Sequence, residues 1–227
     1  MKKIPVSFIL ILVYKIYIER EEETMTEKHS KTTYMVELAV LIAIILLMAF
    51  TPIGYIKTLG LEISLIVIPV AVGAVTLGPL AGLLLGLTFG ITSFIQCFGL
   101  SAFGAMLLSI NPFFTFLVCV PTRALMGWLT GVIYQALKKG NASKKFACSL
   151  SSLCCPLLNT LFFMTTLCIC FYHTDYIQGM VSATGASNVI MFVLIFVGIN
   201  GLVEAISCFI AGTAVSKALL TILHRSK

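Results

Sequence analysis

Six apolar runs, most of them close to the length of a membrane-spanning helix, fill almost all of the sequence after residue 33. A bilayer core about 30 Å thick requires about 20 apolar residues in helical conformation. Only 11% of the residues are charged, against about a quarter in soluble domains. The sequence therefore predicts an all-α integral membrane protein. The expected spans are 34–50, 63–77, 78–98, 112–137, 146–172 and 189–222.

The positions of lysine and arginine predict how these spans are oriented. Basic residues cluster before the first run, between the fourth and the fifth, and after the sixth. With six spans all three clusters lie on one side, which the positive-inside rule makes cytoplasmic. The intervening loops 51–62, 99–111 and 173–188, where only Lys57 is basic, are expected outside. The prediction is a compact bundle of six transmembrane helices with both termini in the cytoplasm.

The first 24 residues do not fit this bundle. Lys15 interrupts their apolar part, and an acidic cluster follows where a signal peptide would carry small residues for cleavage. Glutamate and arginine have purine-rich codons, so residues 19–23 are what a translated ribosome-binding sequence would encode, with Met25 at a suitable distance. We expect 1–24 to be a mis-called N-terminal extension. The remaining expected parts are a cytoplasmic tail 25–33, the membrane domain 34–222 and a cytoplasmic tail 223–227.

Four glycines recur at every fourth position of the third run: Gly78, Gly82, Gly86 and Gly90. This spacing forms one slightly winding groove along a helix. Such a groove could be a homodimer seam, a packing face within one bundle, or the lining of a pathway. We expect packing against neighbouring helices, since glycines offer few groups that recognise a solute.

Four polar residues are expected at similar depth in the last three spans. They are Arg123 in the fourth, Asn159 in the fifth, and Asn200 and Glu204 one helical turn apart in the sixth. An intramembrane arginine is costly in lipid and should face protein or water. One interpretation is a buried clasp between Arg123 and Glu204. The other is a solute cavity open to the outside, which Gln96, Ser93 and Asn111 could complete.

The sequence carries little that favours an enzyme. The eight cysteines fall almost entirely in apolar segments without zinc-type spacing, so no metal or other cofactor is expected. No histidine pair has helical i, i+4 spacing, and no serine or cysteine has a plausible histidine–acid partner. There is no phosphate-binding GxxxxGK[ST] loop, so ATP hydrolysis would have to come from another subunit. The clustered positive charge does not suggest nucleic acid as a partner.

Five segments of the sequence resemble the substrate-binding S components of energy-coupling factor (ECF) vitamin transporters. The likeness runs in order through nearly all of 34–222 and is greatest to the branch that includes pantothenate S components. The segments are TPIGYI (51–56), IPVAVGAVTLGPLAGLLLGLTFGITS (68–93), PTRALMGWLTGVIY (121–134), LNT (158–160) and NGLVEAI (200–206).

The resemblance implies a six-helix subunit of the bacterial plasma membrane that captures a vitamin from outside. Such subunits dock on a membrane coupling subunit with two ABC ATPases, often through Ala-x-x-x-Ala on the first helix. Ala39 and Ala43 hold that place here. Pantothenate would offer a carboxylate to Arg123, and an amide and hydroxyls to Asn159, Thr160 and Asn200. If Glu204 neutralises Arg123, a neutral vitamin or precursor fits better.

Two other classes of membrane protein remain open from the residues alone. A stand-alone secondary transporter or channel would commonly show repeats or broken helices at the midplane, and residues 34–98 show no clear correspondence to 112–222. A purely structural membrane protein would have no need of intramembrane charges. Within the S-component interpretation, riboflavin and folate are the alternative vitamins.

Overall fold

A computed structural model describes residues 31–51, 54–57, 62–140 and 143–218 of the chain. Contacts divide the chain into two compact units, Met1–Ala39 and Val40–Lys227. The described part of the first unit is the beginning of one helix, and the site considered below belongs wholly to the second. The expected extension 1–24, most of the tail 25–33 and the tail 223–227 lie outside the described residues.

Helices make up most of the described chain. The first helix, α1, spans Lys31–Ala49, and a short antiparallel hairpin of β1 (Tyr55–Lys57) and β2 (Glu62–Ser64) follows it. A π-helical turn, Cys208–Gly212, continues the last helix. The helices after the hairpin are α2 (Val67–Thr76), α3 (Pro79–Gln96), α4 (Ala102–Ile110), α5 (Pro112–Lys139), α6 (Lys144–Phe171), α7 (Asp175–Thr184) and α8 (Val189–Ser207).

Among the described residues, five helical segments are long and apolar enough to cross a membrane. A sixth is possible if α7 and the first half of α8, which meet at a 76° bend, are counted as one broken span. The predicted all-α membrane bundle is therefore confirmed. The five segments are Lys31–Ala49, Pro79–Gln96, Pro112–Lys139, Phe146–Phe171 and Gly201–Ala218.

Two of the predicted spans differ from the structure. The predicted second span, 63–77, begins in β2, and its helix α2 has only 10 residues. The predicted sixth span, 189–222, is not one straight helix, because Gly198 has non-helical backbone angles (φ 28°, ψ −121°). Since positive φ is freely available to glycine, the chain can turn there and begin a new apolar segment at Gly201.

Two predicted loops contain short helices. Loop 99–111 holds α4, which Ser101 caps by accepting a hydrogen bond from the Gly104 amide. Loop 173–188 holds α7, which ends at Gly185 in the left-handed conformation (φ 66°). Ile177 and Val181 of α7 pack into a buried cluster with residues of α5, α6 and α8, so this helix is part of the bundle's core.

The glycine stripe of α3 packs directly against α5. A Cβ added at Gly82 would clash with the carbonyl oxygen of Gly127, and one at Gly86 with the carbonyl oxygen of Arg123. One at Gly90 would lie 2.8 Å from the Cα of Val120. The backbones of the two helices are therefore in contact along most of the stripe, which confirms the prediction of a packing face within one protein.

Candidate functional site

A cavity of about 120 Å³ lies among α3, α4, α5, α6, α8 and the end of β2. One water molecule needs about 10–15 Å³ on this measure, so the cavity can hold several waters or a small polar molecule. Its apolar wall includes Phe89, Phe103 and Phe163. Its polar wall consists of Ser64, Ser93, Gln96, Ser101, Arg123, Asn159, Thr160 and Glu204.

Arg123 enters the cavity from α5 with its guanidinium between two aromatic rings. The guanidinium carbon lies 4.6 Å from the ring centre of Phe163 and 5.6 Å from that of Phe89. One terminal nitrogen donates to the carbonyl of Val118 and lies 3.3 Å from Oγ1 of Thr122. The residue is 8% exposed, and its Nε has no hydrogen-bond partner. The rings stabilise the cation, while Nε is left without a partner.

Asn159 and Glu204 form a buried pair in the wall of the same cavity. Nδ2 of Asn159 donates to Oε1 of Glu204 over 3.1 Å, and both residues are 8% exposed. A carboxylate only accepts hydrogen bonds, so this contact fixes the orientation of the amide. Oδ1 of Asn159 is buried without a partner. The Asn159–Glu204 pair therefore includes a buried carbonyl acceptor without a donor.

Arg123 and Glu204 share the cavity wall without a direct ion pair. Across the described part of the chain, no nitrogen of Arg123 lies within 4.0 Å of an oxygen of Glu204. The hydrogen bonds of Arg123 are instead made within α5, and that of Glu204 is made with Asn159 of α6. Arg123 and Glu204, the two residues of the predicted clasp, are thus close in space but form hydrogen bonds with different partners.

The remaining predicted site residues fall into three groups. Gln96 and Thr160 line the cavity, and the Gln96 amide also donates to the carbonyl of Ala49 at the end of α1. Asn111 does not line the cavity: its Oδ1 accepts from the amides of Phe113 (3.0 Å) and Phe114 (3.2 Å) and caps α5. Asn200 belongs to α8, but its side chain is outside the described part of the structure.

Sequence reasoning missed several residues of the cavity wall. Phe163 is four residues after Asn159, and Cys119 is four residues before Arg123, so helical spacing could have found both. Ser64 gave no such signal, because it reaches the cavity from the end of a strand. Its side chain is 7% exposed and its hydroxyl has no partner.

Two further expectations concern docking and metals. Ala39 and Ala43, the candidate docking residues, are four residues apart on α1 and both are exposed. Within the described ranges, no three His, Cys, Asp or Glu side chains are grouped so that they could hold a metal ion.

Comparison with known proteins identifies a family. No curated protein matches the chain. A family model described as "ECF transporter, substrate-specific component" matches residues 33–215, which is most of the chain and includes every residue of the cavity wall. The chain is therefore a transporter subunit rather than an enzyme, and it belongs to the ECF transporter substrate-specific component family.

Proposed function

We propose that this chain captures a vitamin or vitamin precursor, with pantothenate as the first candidate, in the cavity between α3, α5, α6 and α8. The observation that carries the proposal is that three residues of that cavity wall each have a buried polar atom without a partner. These atoms are Nε of Arg123, Oδ1 of Asn159 and Oγ of Ser64. An unpaired buried polar atom costs about 1–3 kcal/mol, so a ligand that satisfies all three gains binding energy there.

The positive charge of Arg123 supports an anionic group on the ligand. Arg123 is permanently positive and has no carboxylate within 4.0 Å among the described residues. A carboxylate at Nε would form a charge-assisted hydrogen bond, which is about twice as strong as a neutral one. Pantothenate offers this carboxylate, and its hydroxyl and amide N–H groups can donate to Oδ1 of Asn159.

Transport would require partners, as it does throughout the ECF system. We infer that the subunit works in a bacterial plasma membrane with a coupling subunit and two ABC ATPases, which would hydrolyse the ATP. Ala39 and Ala43 on the exposed face of α1 are the candidate contacts. Small residues allow a second helix to approach closely. Riboflavin and folate are the alternative substrates.

The test is binding of pantothenate to the purified chain in detergent micelles, measured by isothermal titration calorimetry. Replacing Arg123 by alanine removes one charge-assisted bond, so the affinity should fall roughly 10- to 100-fold. Arg123→Lys should recover only part of it, because a lysine cannot reproduce the planar guanidinium between Phe89 and Phe163.

The matched control is Lys139→Ala, which removes a positive charge from the exposed C-terminal end of the same helix and should bind pantothenate normally. Unchanged affinity in Arg123→Ala would remove the main support for an anionic substrate. Titration of riboflavin and folate in parallel identifies the vitamin if pantothenate does not bind.

A further inference from the structure

Two cysteines from different helices meet in the wall of the cavity. Cys97 directly follows α3 as its C-cap, Cys119 lies on α5, and their sulfur atoms are 4.0 Å apart. The side chains are 4% and 5% exposed, and both thiols are free. A disulfide bond is about 2.05 Å long, so the two sulfurs need to approach each other by about 2 Å to form one.

The neighbours of Cys97 hold its thiol close to Cys119. A Cβ added at Gly104 of α4 would lie 2.6 Å from the Cys97 sulfur, so the backbone of α4 closes that side. The same sulfur lies 3.4 Å from the carbonyl oxygen of Ser93. Together with Val120, the two cysteines form a small buried cluster against Phe94 and Leu108. These contacts limit how far the Cys97 sulfur can move while α4 is packed here.

The cavity gives small molecules a route to these thiols. Cys97 and Cys119 both line it, whereas Cys148 and Cys155 are equally buried and do not. A thiol's reactivity depends on access as well as on its ionisation. A reagent as small as hydrogen peroxide fits wherever several water molecules fit.

We propose that Cys97 and Cys119 are a peroxide-reactive thiol pair whose closure to a disulfide lowers the cavity's affinity for its substrate. In the first step one thiolate attacks a peroxide oxygen; the O–O bond breaks and the cysteine becomes a sulfenic acid, with release of water. In the second step the other thiolate attacks the sulfenic sulfur and displaces the hydroxyl as water. Two thiols and one hydrogen peroxide thus give one disulfide and two waters.

The expected loss of affinity follows from where the bond would form. Cys119 is one helical turn from Arg123 on the same face of α5. The disulfide would draw the junction of α3 and α4 toward this face and fix it there, beside the guanidinium. This part of the inference rests on the proposed function, since it requires that the cavity binds the substrate through Arg123.

The experiment uses the full chain in detergent micelles, first reduced with a phosphine and then treated with hydrogen peroxide. Intact-mass spectrometry should show a loss of about 2 Da for the two hydrogens. Non-reducing peptide mapping should show Cys97 joined to Cys119. Calorimetry should show weaker binding of pantothenate after oxidation, restored when the phosphine is added back.

Three variants make the outcome decisive. In Cys97→Ser and in Cys119→Ser, peroxide should produce no cross-link between these two positions. Each variant should bind pantothenate with the same affinity before and after peroxide treatment. Cys168→Ser, a half-buried cysteine of α6 outside the cavity wall, should respond to peroxide as the original chain does.

Absence of the Cys97–Cys119 peptide after peroxide treatment would overturn the proposal. So would a formed disulfide that leaves the affinity unchanged. If the reduced chain does not bind pantothenate, the proposed vitamin is wrong, while the peptide map still decides whether the thiol pair reacts. The affinity measurement is then made with riboflavin or folate, whichever binds.

Discussion

At the scale of single residues, the contacts of Arg123 and Glu204 determine which polar groups of the cavity wall are paired. Depth along the helices predicted that Arg123, Asn159 and Glu204 would be neighbours, and all three line the cavity. Which of them pair could not be predicted, because that depends on side-chain rotamers and on residues from other helices. Phe89 and Phe163 hold the guanidinium, and Asn159 takes the carboxylate.

Asn111 shows a second limit of sequence reasoning at this scale. An asparagine in front of Pro112 at the start of an apolar run has the pattern of a helix N-cap. Its polarity and position near the outer end of the bundle suggested a ligand contact instead. In the structure, Oδ1 of Asn111 accepts hydrogen bonds from two backbone amides of α5. The observed role of Asn111 is therefore to cap that helix.

The partner of Glu204 can be tested by double-mutant cycles. Glu204→Gln should weaken the contact with Asn159, since it replaces a charge-assisted hydrogen bond by a neutral one. Combined with Asn159→Ala, its effect on the free energy of unfolding should be non-additive by about 1–2 kcal/mol. Combined with Arg123→Ala, the non-additivity should be smaller, because no direct ion pair joins Arg123 to Glu204. Chemical denaturation in mixed micelles measures both cycles, and the reverse pattern would support a direct clasp.

At the scale of elements, the sequence predicted the bounds of the long helices more accurately than those of the interrupted ones. Helices α3, α5 and α6 closely follow the predicted spans, because each is a long apolar run bounded by proline, asparagine or lysine signals. The break at Gly198 was not predictable from composition, since the run is apolar on both sides of it. Glycine is tolerated inside many membrane helices. The sequence therefore could not show which one permits a turn.

The α3–α5 contact predicts large effects of very small substitutions. Gly82→Ala and Gly86→Ala each add a methyl group against a backbone carbonyl of α5, so each should destabilise the protein by about 1–3 kcal/mol. Gly179→Ala in α7 is the control, because nothing lies within 4 Å of the added Cβ. That change should be neutral or stabilising by up to about 1 kcal/mol. Equal stability of all three variants in denaturation experiments would contradict this packing.

At the scale of the whole molecule, composition alone was enough to predict a multi-span membrane protein. The sidedness inferred from lysine and arginine stays a prediction, since most residues of both tails lie outside the described chain. The number of crossings depends on α2 and on the bent α7–α8 pair, which are short elements. Whether α2 and the α7–α8 pair cross the membrane depends on how they pack within the bundle, which a hydropathy pattern does not show.

Docking gives a prediction at this scale. Enlarging Ala39 and Ala43 together to leucine should abolish co-purification of a coupling subunit and its ATPases, because a second helix could no longer approach closely. Pantothenate binding to the isolated chain should remain, since neither alanine lines the cavity. Ala102→Leu, at the exposed first residue of α4, is the control and should keep the complex intact. Retention of the partners by the double variant would place docking elsewhere.

The glycine contact between α3 and α5 also limits the genetic routes by which a damaged protein could recover. Lost packing between side chains can be restored by a second change that trims the opposing residue. At Gly82 and Gly86 the opposing atoms are main-chain carbonyl oxygens, which every amino acid carries. No second-site replacement can remove them. A selection for suppressors of Gly86→Ala should therefore yield true revertants, or changes that separate the helices elsewhere, and none at Arg123 itself.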